Sequence, residues 1–483
     1  MKKYLGIALL LLTGISLSAW LNRPKATVPN IIFIIGDDIS YDDIGCYGNP
    51  LVKTPNIDKL AKDGLLFNNM FVTSSSCSPS RTSILTGRYP HNTGAAELHT
   101  ELPAHLTYFP EQLRKAGYYT ALMGKWHEGK NTKRAYDTLL AGEKLNGLGG
   151  EDQWINILQA RPKGKPFFFW LSPFDAHREW SADNFKITHN PDKEVRVPNT
   201  LIDTKDTRHD LSSYYNEIGR LDYYIGELWK ELERQGIADN TIIIFTADNA
   251  RPFSGNKTLL YDRGIKTPFI IKWKNGIKSQ QQTDALVSTI DIAPTLLHLA
   301  GVKPANTIQG QSFTNLLKTP KADFRKYIFA EHNWHDYEAY ERAVRTKDFL
   351  YLINNRPGLD NGGPIDANQS PSALALKENK EKLTPLQKEV FINPRPTAEF
   401  YDMRSDAAQT NNQINNPKYK STIYQLKSTL ERWQTETGDT SPTKLTPDWY
   451  HRETGKPLTE KDIRGEMPGA TKQAAKINAK GPF

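Results

Sequence analysis

Cys77 lies in a run of hydroxyl residues, Ser74-Ser-Ser-Cys77-Ser-Pro79-Ser-Arg81, directly ahead of Thr82-Ser-Ile-Leu-Thr-Gly87. Pro79 suits the first turn of a helix and Gly87 its left-handed C-terminal cap. A cysteine just before a helix start meets free backbone N–H groups and the positive end of the dipole, and Arg81 adds a fixed positive charge. Local physics leaves two readings open, a reactive thiol or a small buried one. The flanking hydroxyls argue against an apolar pocket. Elsewhere, polar groups follow apolar runs: Asp37-Asp38 after Asn30–Gly36, and Asp248-Asn249 after Thr241–Phe245. Two adjacent carboxylates at the end of a buried strand repel each other unless a cation lies between them; the alternative is a turn or helix cap. Asp37, Asp38, Asp248 and Asn249 make a hard, all-oxygen set, suited to Ca²⁺ or Mg²⁺ and poorly suited to zinc. Asp42 and Asp43, beyond the turn, read as solvated loop acids. His127, in Gly124-Lys125-Trp126-His127, and His177, in Asp175-Ala-His177, are acid/base candidates.

These residues need elements to hold them. Asn30–Gly36 is all apolar in its centre, which predicts a strand buried on both faces, as in a parallel sheet. Tyr118–Met123 and Pro166–Leu171 read the same way. Thr54–Gly64 has helix signals, with Thr54 as N-cap and Pro55 at the first position. Pro110–Ala116 reads as a short helix. Leu211, Tyr214, Ile218, Leu221, Ile225, Leu228 and Leu232 form a helical stripe within Asp210–Gln235. Four strands thus end in titratable or polar residues. Ligands of open α/β sheets sit beyond the carboxyl ends of the strands, so the pattern predicts one convergent site. After residue 345 the character changes. Arg345–Asn354 reads as one strand, Asn355–Pro396 as polar connection, and Ser421–Trp433 as a helix. Thr435–Phe483 is rich in Lys, Thr and Pro without a strong period. The division expected is a catalytic domain over 26–345 and a smaller α+β subdomain over 346–483 with a loosely ordered basic tail.

The whole chain bounds the chemistry further. Its 483 residues carry 62 basic and 54 acidic side chains, a net charge of 62 − 54 = +8, which favours an anionic partner. Mean hydropathy of −0.59 excludes a multi-pass membrane protein. Two cysteines, Cys46 and Cys77, cannot build a disulfide framework. Met1–Lys3 is basic, Leu5–Leu12 is apolar, and small residues end at Ala19. That order is a secretory signal peptide over 1–19, with an uncleaved anchor as the alternative. Export, to a periplasm, is the expected address, with no stable membrane association after cleavage. No basic run is interleaved with aromatics in a nucleic-acid-binding module.

Cys77-x-Pro79-Ser80-Arg81 followed by Thr86-Gly87-Arg88 resembles the maturation signature of the type I sulfatases. Gly36-Asp37-Asp38, Gly124-Lys125-Trp126-His127, Asp175-Ala-His177, Ala247-Asp248-Asn249, and Lys257 four residues before Tyr261 fit the same family in the same order. The resemblance spans about Asn30 to Trp433. It implies an α/β fold similar to alkaline phosphatase: one large mixed, mostly parallel sheet flanked by helices. It also implies that Cys77 is converted to formylglycine by a formylglycine-generating or anaerobic sulfatase-maturating enzyme. The hydrated aldehyde is a gem-diol whose one hydroxyl attacks sulfur and whose other helps expel sulfate. On this resemblance Cys77 joins Asp37, Asp38, Asp248 and Asn249 around a calcium ion. Arg81, Lys125 and Lys257 surround the sulfate, and one of His127 and His177 protonates the leaving oxygen while the other assists the diol. Asp248 doubles as a base facing the diol. His91 is expected either in a turn or behind the site.

Three departures border the pocket: Ala250 after Asp248-Asn249, Asp175-Ala-His177-Arg178, and Arg263 in Tyr261-Asp262-Arg263-Gly264. Asp175-Ala-His177-Arg178, Arg251-Pro-Phe253 and Asn256–Tyr261, with Glu331-His332-Asn-Trp-His335-Asp336 and Arg342 downstream, resemble the heparan N-sulfatase branch and bacterial relatives acting on algal polysaccharides such as ulvan. Arg178, Arg251, His332, His335 and Arg342 are then expected to grip a terminal sugar, with Trp334 as a stacking face. Ordinary salt bridges are the alternative. The function expected is exo-hydrolysis of sulfate esters, or sulfamates, of a sulfated carbohydrate. A phosphoester or phosphonate hydrolase on the same fold, and a glycan-binding protein without turnover, are the rivals.

Overall fold

The computed structural model describes residues 28–180 and 185–483; the expected signal segment, residues 1–19, lies outside them. Fourteen strands are labelled in chain order: β1 Asn30–Gly36, β2 Leu65–Phe67, β3 Met70–Phe71, β4 Tyr119–Gly124, β5 Thr138–Ala141, β6 Phe167–Ser172, β7 Thr241–Ala247, β8 Phe269–Lys272, β9 Gln281–Thr283, β10 Val287–Ser288, β11 Ile328–His335, β12 Tyr337–Arg345, β13 Phe349–Asn354 and β14 Ala398–Asp402. The large sheet runs β5-β4-β6-β1-β7-β8-β2-β9. It is parallel from β5 through β7, and β8 runs antiparallel to both its neighbours. Alternate residues of β1 feed two cores. Ile32 and Ile34 pack towards Ile57, Trp154 and the stripe Leu211–Leu232, while Ile31, Phe33 and Ile35 pack towards Leu85, Phe109 and Leu296. The sheet is therefore covered on both faces, which is why its strands read as unbroken apolar runs.

The helices follow their sequence signals with small shifts. Helix Pro55–Lys62 begins at its proline, yet Thr54 places no side-chain cap on it; its hydroxyl accepts from Gly45 N instead, at 2.9 Å. The long helix Lys205–Arg234 starts earlier than its stripe because Thr204 caps it, accepting from Thr207 N. Helix Cys77–Thr86 begins at the cysteine itself, and Gly87 closes it at φ +65°.

The boundary expected at 345 falls inside a second sheet, β11-β12-β13-β14, all antiparallel. One face of this sheet carries Phe329, Val344, Tyr351 and Phe400 against Leu426, Leu430 and Trp433 of helix Lys420–Thr437. The other face carries Ile328, Ala330, Leu350 and Leu352 against Phe71, Val72 and Leu260 of the large domain. Both faces are covered, so the two parts share a continuous core. The C-terminal tail departs from its expected loose order. Arg88 donates to Ile477 O at 2.8 Å and Gln309 to Ala479 O at 2.9 Å, and Phe483 meets the Phe324 ring at 5.2 Å. Its composition hides this because the anchoring is through its backbone carbonyls. Among the described residues no helix is long and apolar enough to cross a membrane.

Register brings the strand ends to one edge. Gly36 pairs with Ala247, and Gly124 with Ser172. Gly124 has φ +99°, and a Cβ there would lie 2.0 Å from the Ser172 carbonyl oxygen, a backbone atom that cannot step aside. Gly124→Ala is expected to cost about 1–3 kcal/mol from the backbone conformation alone, and more from the clash. Thermal unfolding should show the loss, and turnover should fall with it because Lys125 is displaced.

Candidate active site

Helix Cys77–Thr86 points its first residue at the carboxyl edge of the sheet. Cys77 Sγ lies 3.7 Å from Asp38 Oδ1 and 3.7 Å from Asn249 Nδ2. Asp37, Asp38, Asp248 and Asn249 are all buried. Candidate ligand atoms of Asp37, Cys77 and Asp248 lie within 4.8 Å of one another, as do those of Asp38, Cys77 and His177. Three buried carboxylates at such range need compensating charge, and three cations provide it. Arg81 Nε donates to Asp248 Oδ2 at 2.8 Å, and its Nη2 lies 3.5 Å from Asp37 Oδ1. Lys125 Nζ donates to Asp37 Oδ2, and Lys257 Nζ to Asp38 Oδ2 at 2.8 Å. Arg81 also donates to Ser172 Oγ at the end of β6, which ties the helix to the sheet.

Charge and burial compete at each group. Burial pushes Asp37 up, but Lys125 and Arg81 together hold it well below the usual carboxylate range. Asp248 is pushed up to about 6 by burial, with Asp37 and Asp38 adding repulsion against the pull of Arg81. Burial raises the Cys77 thiol far above its ordinary value despite Lys125 and Lys257. As a thiol, Cys77 is a poor nucleophile here. Burial works against the Lys257 charge, but Asp366 and Asp38 outweigh it and hold the ammonium protonated.

Asp37 Oδ1 and Asn249 Oδ1 are buried without a hydrogen-bond partner. Orphaned oxygens beside Asp38 and Asp248 fit a hard divalent cation.

The two histidines have different partners. His177 Nδ1 bonds to the Arg178 carbonyl, leaving Nε2 to face the acids, 3.9 Å from Asp38 Oδ2 and 3.8 Å from Asp366 Oδ2. His127 Nε2 lies 2.7 Å from His99 Nδ1, and its own Nδ1 is buried without a partner. Burial, Lys125 and His99 keep His127 neutral. Neither His99 nor Asp366 was legible beforehand. Asp366 is one acid in the polar stretch 355–396, and His99 sits in a loop between motifs, so no spacing marks either one.

The expected sugar-gripping arginines are committed elsewhere. Arg178 makes a bidentate pair with Asp210 at 2.7 and 2.8 Å and lies over Trp180 and Phe253. Arg251 bonds Asp42 and lies 3.2 Å from Asp43. Asp43 is fully buried and not solvated as expected, and Asp42 is Arg251's partner. Arg342 is fully buried, bidentate to Asp439 at 2.7 and 2.8 Å and 3.6 Å from Glu331, which in turn bonds His91 at 2.8 Å. His91 is thus in an internal ion network. Trp334 is no stacking face: it is 1% exposed, between Trp449 and Arg464. His335 reaches the site indirectly, through Ser76 Oγ at 2.7 Å, beside Cys77. His332 is buried with both ring nitrogens unpartnered. A cavity of about 710 Å³ against Lys59, Trp229 and Lys272 lies at the opposite edge of the sheet and contains none of these groups.

At the carboxyl edge of a mixed α/β sheet, a buried helix-start cysteine thus faces three acids and three cations. The sulfatase family model matches residues 29–147 and 151–302, and the model for the N-sulphoglucosamine sulphohydrolase C-terminal region matches 254–390. The chain belongs to the type I sulfatase family and is a sulfuric ester hydrolase. It is 31% identical to an ulvan-active sulfatase of Formosa agariphila over 85% of this chain and 75% of that one. It is 29% identical to human N-sulphoglucosamine sulphohydrolase, covering 91% and 95%. Among solved structures, BT4656 in complex with its substrate D-glucosamine-2-N,6-O-disulfate superposes with a TM-score of 0.67 at 23% identity, covering 86% and 99%. A phosphonate monoester hydrolase from Silicibacter pomeroyi shares the fold at 0.64 and 19%, covering 84% and 95%.

Arg342→Ala strips buried Asp439 of its bidentate counter-charge and leaves Glu331 with His91 as its remaining charged partner. A loss of about 3–5 kcal/mol is expected in chemical denaturation, with KM for a small aryl sulfate unchanged below the transition. A raised KM at intact stability would restore Arg342 to the substrate.

Proposed function

We propose that this chain is an exported, calcium-dependent sulfatase that removes sulfate esters, or sulfamates, from the ends of a sulfated polysaccharide or its oligosaccharides. One observation carries the reading: Cys77 starts a helix beside Asn249, where the buried carboxylates Asp37, Asp38 and Asp248 meet the Lys125, Lys257 and Arg81 cations. The substrate class is supported by the relatives, an ulvan-active sulfatase and an N-sulphoglucosamine sulphohydrolase, and by the net charge of +8. The export signal of residues 1–19 supports a periplasmic address.

Asp37, Asp38, Asp248 and Asn249 would hold the cation, with residue 77 beside it. Calcium bound there supplies polarisation of a sulfate oxygen, and formylglycine made from Cys77 by a maturating enzyme supplies a hydrated-aldehyde hydroxyl as nucleophile. The chain's own groups do the rest. Lys125 and Lys257 place fixed positive charge where charge develops on sulfate oxygens. Their partners Asp37 and Asp38 hold both ammoniums in position before substrate arrives. His177, held through Nδ1 on the Arg178 carbonyl, presents Nε2–H to the leaving oxygen and gives up that proton as the bond to sulfur breaks. His127, bonded through Nε2 to His99, keeps its buried Nδ1 free of any hydrogen bond and would be the second acid/base group, assisting Asp248 at residue 77. Arg81 fixes Asp248, so the base and the helix start keep their spacing.

The mass of the peptide containing residue 77, purified from a maturation-competent host, should show the aldehyde; an unmodified thiol would leave a glycan-binding protein without turnover. Cys77→Ala should reduce aryl sulfate turnover to background while leaving the unfolding transition in place. Chelation should abolish activity and added calcium restore it. A strong preference for aryl phosphate over aryl sulfate would overturn the reading in favour of a phosphoester hydrolase. His177→Ala should cost about 10²–10⁴-fold with sugar sulfates and far less with activated aryl sulfates. Equal losses would remove its role as acid. Desulfation across ulvan, carrageenan and heparin oligosaccharides identifies the substrate.

A further inference from the structure

Asp366 reaches the site from outside every motif that marks it. It sits on the single turn Ile365–Asn368, which is anchored by Ile365 N donating to Asp336 Oδ2 at 3.1 Å. Its Oδ1 accepts from Ala367 N at 2.7 Å. Its Oδ2 is buried, has no hydrogen-bond partner, and lies 3.7 Å from Lys257 Nζ and 3.8 Å from His177 Nε2. Those are two of the groups that would face a bound sulfate. An acid there is costly for an anion-binding pocket, since it offsets a cation that already serves Asp38. The cost has a chemical meaning. A sulfate ester carries one negative charge throughout the working pH range, whereas a phosphate monoester carries two above about pH 6.

We propose that Asp366 is a specificity-determining residue: it lowers the positive potential over the pocket to what a monoanionic ester fills, so that dianionic phosphate monoesters are turned away. The inference rests on the sulfatase reading above. One additional charge about 5 Å away, at the effective dielectric of a partly buried site, changes binding by at least about tenfold. Shape cannot do this, because sulfate and phosphate are both tetrahedral and close in size. Charge count does separate the two esters, and Asp366 supplies one negative charge to that count.

The test compares kcat/KM for 4-nitrophenyl sulfate, 4-nitrophenyl phosphate and 4-nitrophenyl methylphosphonate above neutral pH in the mature wild type, D366N and D366E. The phosphonate monoester is the control, since it has phosphorus but a single charge. D366N is expected to raise the phosphate-to-sulfate ratio at least about tenfold, to leave the phosphonate-to-sulfate ratio unchanged, and D366E to keep both wild-type ratios. An unchanged phosphate-to-sulfate ratio in D366N overturns the proposal, and so does a rise shared equally by the phosphonate. If D366N does not fold, the wild type decides. Its phosphate-to-sulfate ratio should climb as pH falls through the second phosphate ionisation, and a flat ratio overturns the proposal. Failure of the sulfatase reading is separate: a wild type that does not hydrolyse the sulfate ester shows it directly. The same charge comparison is then read from inhibition constants of the three esters.

Discussion

Everything at this site follows from placing Asp37, Asp38 and Asp248 together in a volume closed to water. Carboxylates at such range cannot all ionise on their own account. Arg81, Lys125 and Lys257 each take one of them, and Asp248 still stands raised, by its burial first and by repulsion from Asp37 and Asp38 second. This is a preorganised electrostatic device. Its charges are fixed by ion pairs before substrate arrives, so little reorganisation remains for the reaction. Two buried oxygens, Asp37 Oδ1 and Asn249 Oδ1, are left without hydrogen-bond partners beside these ion pairs.

Two supports keep the device closed. Arg81 links the helix that begins at Cys77 to β6 through Ser172 and to β7 through Asp248. The second sheet closes the other side: His335 leaves β11 to bond Ser76, and Asp336 anchors the turn that carries Asp366. The smaller sheet is thus part of the active site as well as a support for it. Its continuous core with the large domain, through Phe71, Val72 and Leu260, explains how a carboxylate 109 residues beyond Lys257 (366 − 257) holds its place.

The arginines show where residue type misleads. Arg178, Arg251 and Arg342 stand near the pocket in sequence and have the right chemistry for a sugar acid. Each instead meets a carboxylate in the interior, Asp210, Asp42 with Asp43, and Asp439. A buried guanidinium without a counter-charge is too costly to keep, so a partner brought by a distant segment decides its role. Asp43 was misread for the same reason: the partner that draws it inside is 208 positions away (251 − 43).

The gathering of the strand-end residues at one edge was legible in the sequence because a parallel sheet imposes local punctuation. Unbroken apolar runs end where the strand leaves the core, and the residue that follows must face the carboxyl edge. That rule places Asp37, Lys125, His177 and Asp248 together without any coordinates, and the proline and glycine of the cysteine motif mark the helix that meets them. Strands β11 and β12 gave no such signal, since their polar residues are buried by partners from elsewhere. His99, Asp366 and the true partners of the arginines depended on which loops fold back over the edge, and on how the tail is pinned. Those are long-range contacts between polar groups, with no periodicity to announce them, so only the tertiary structure could decide them.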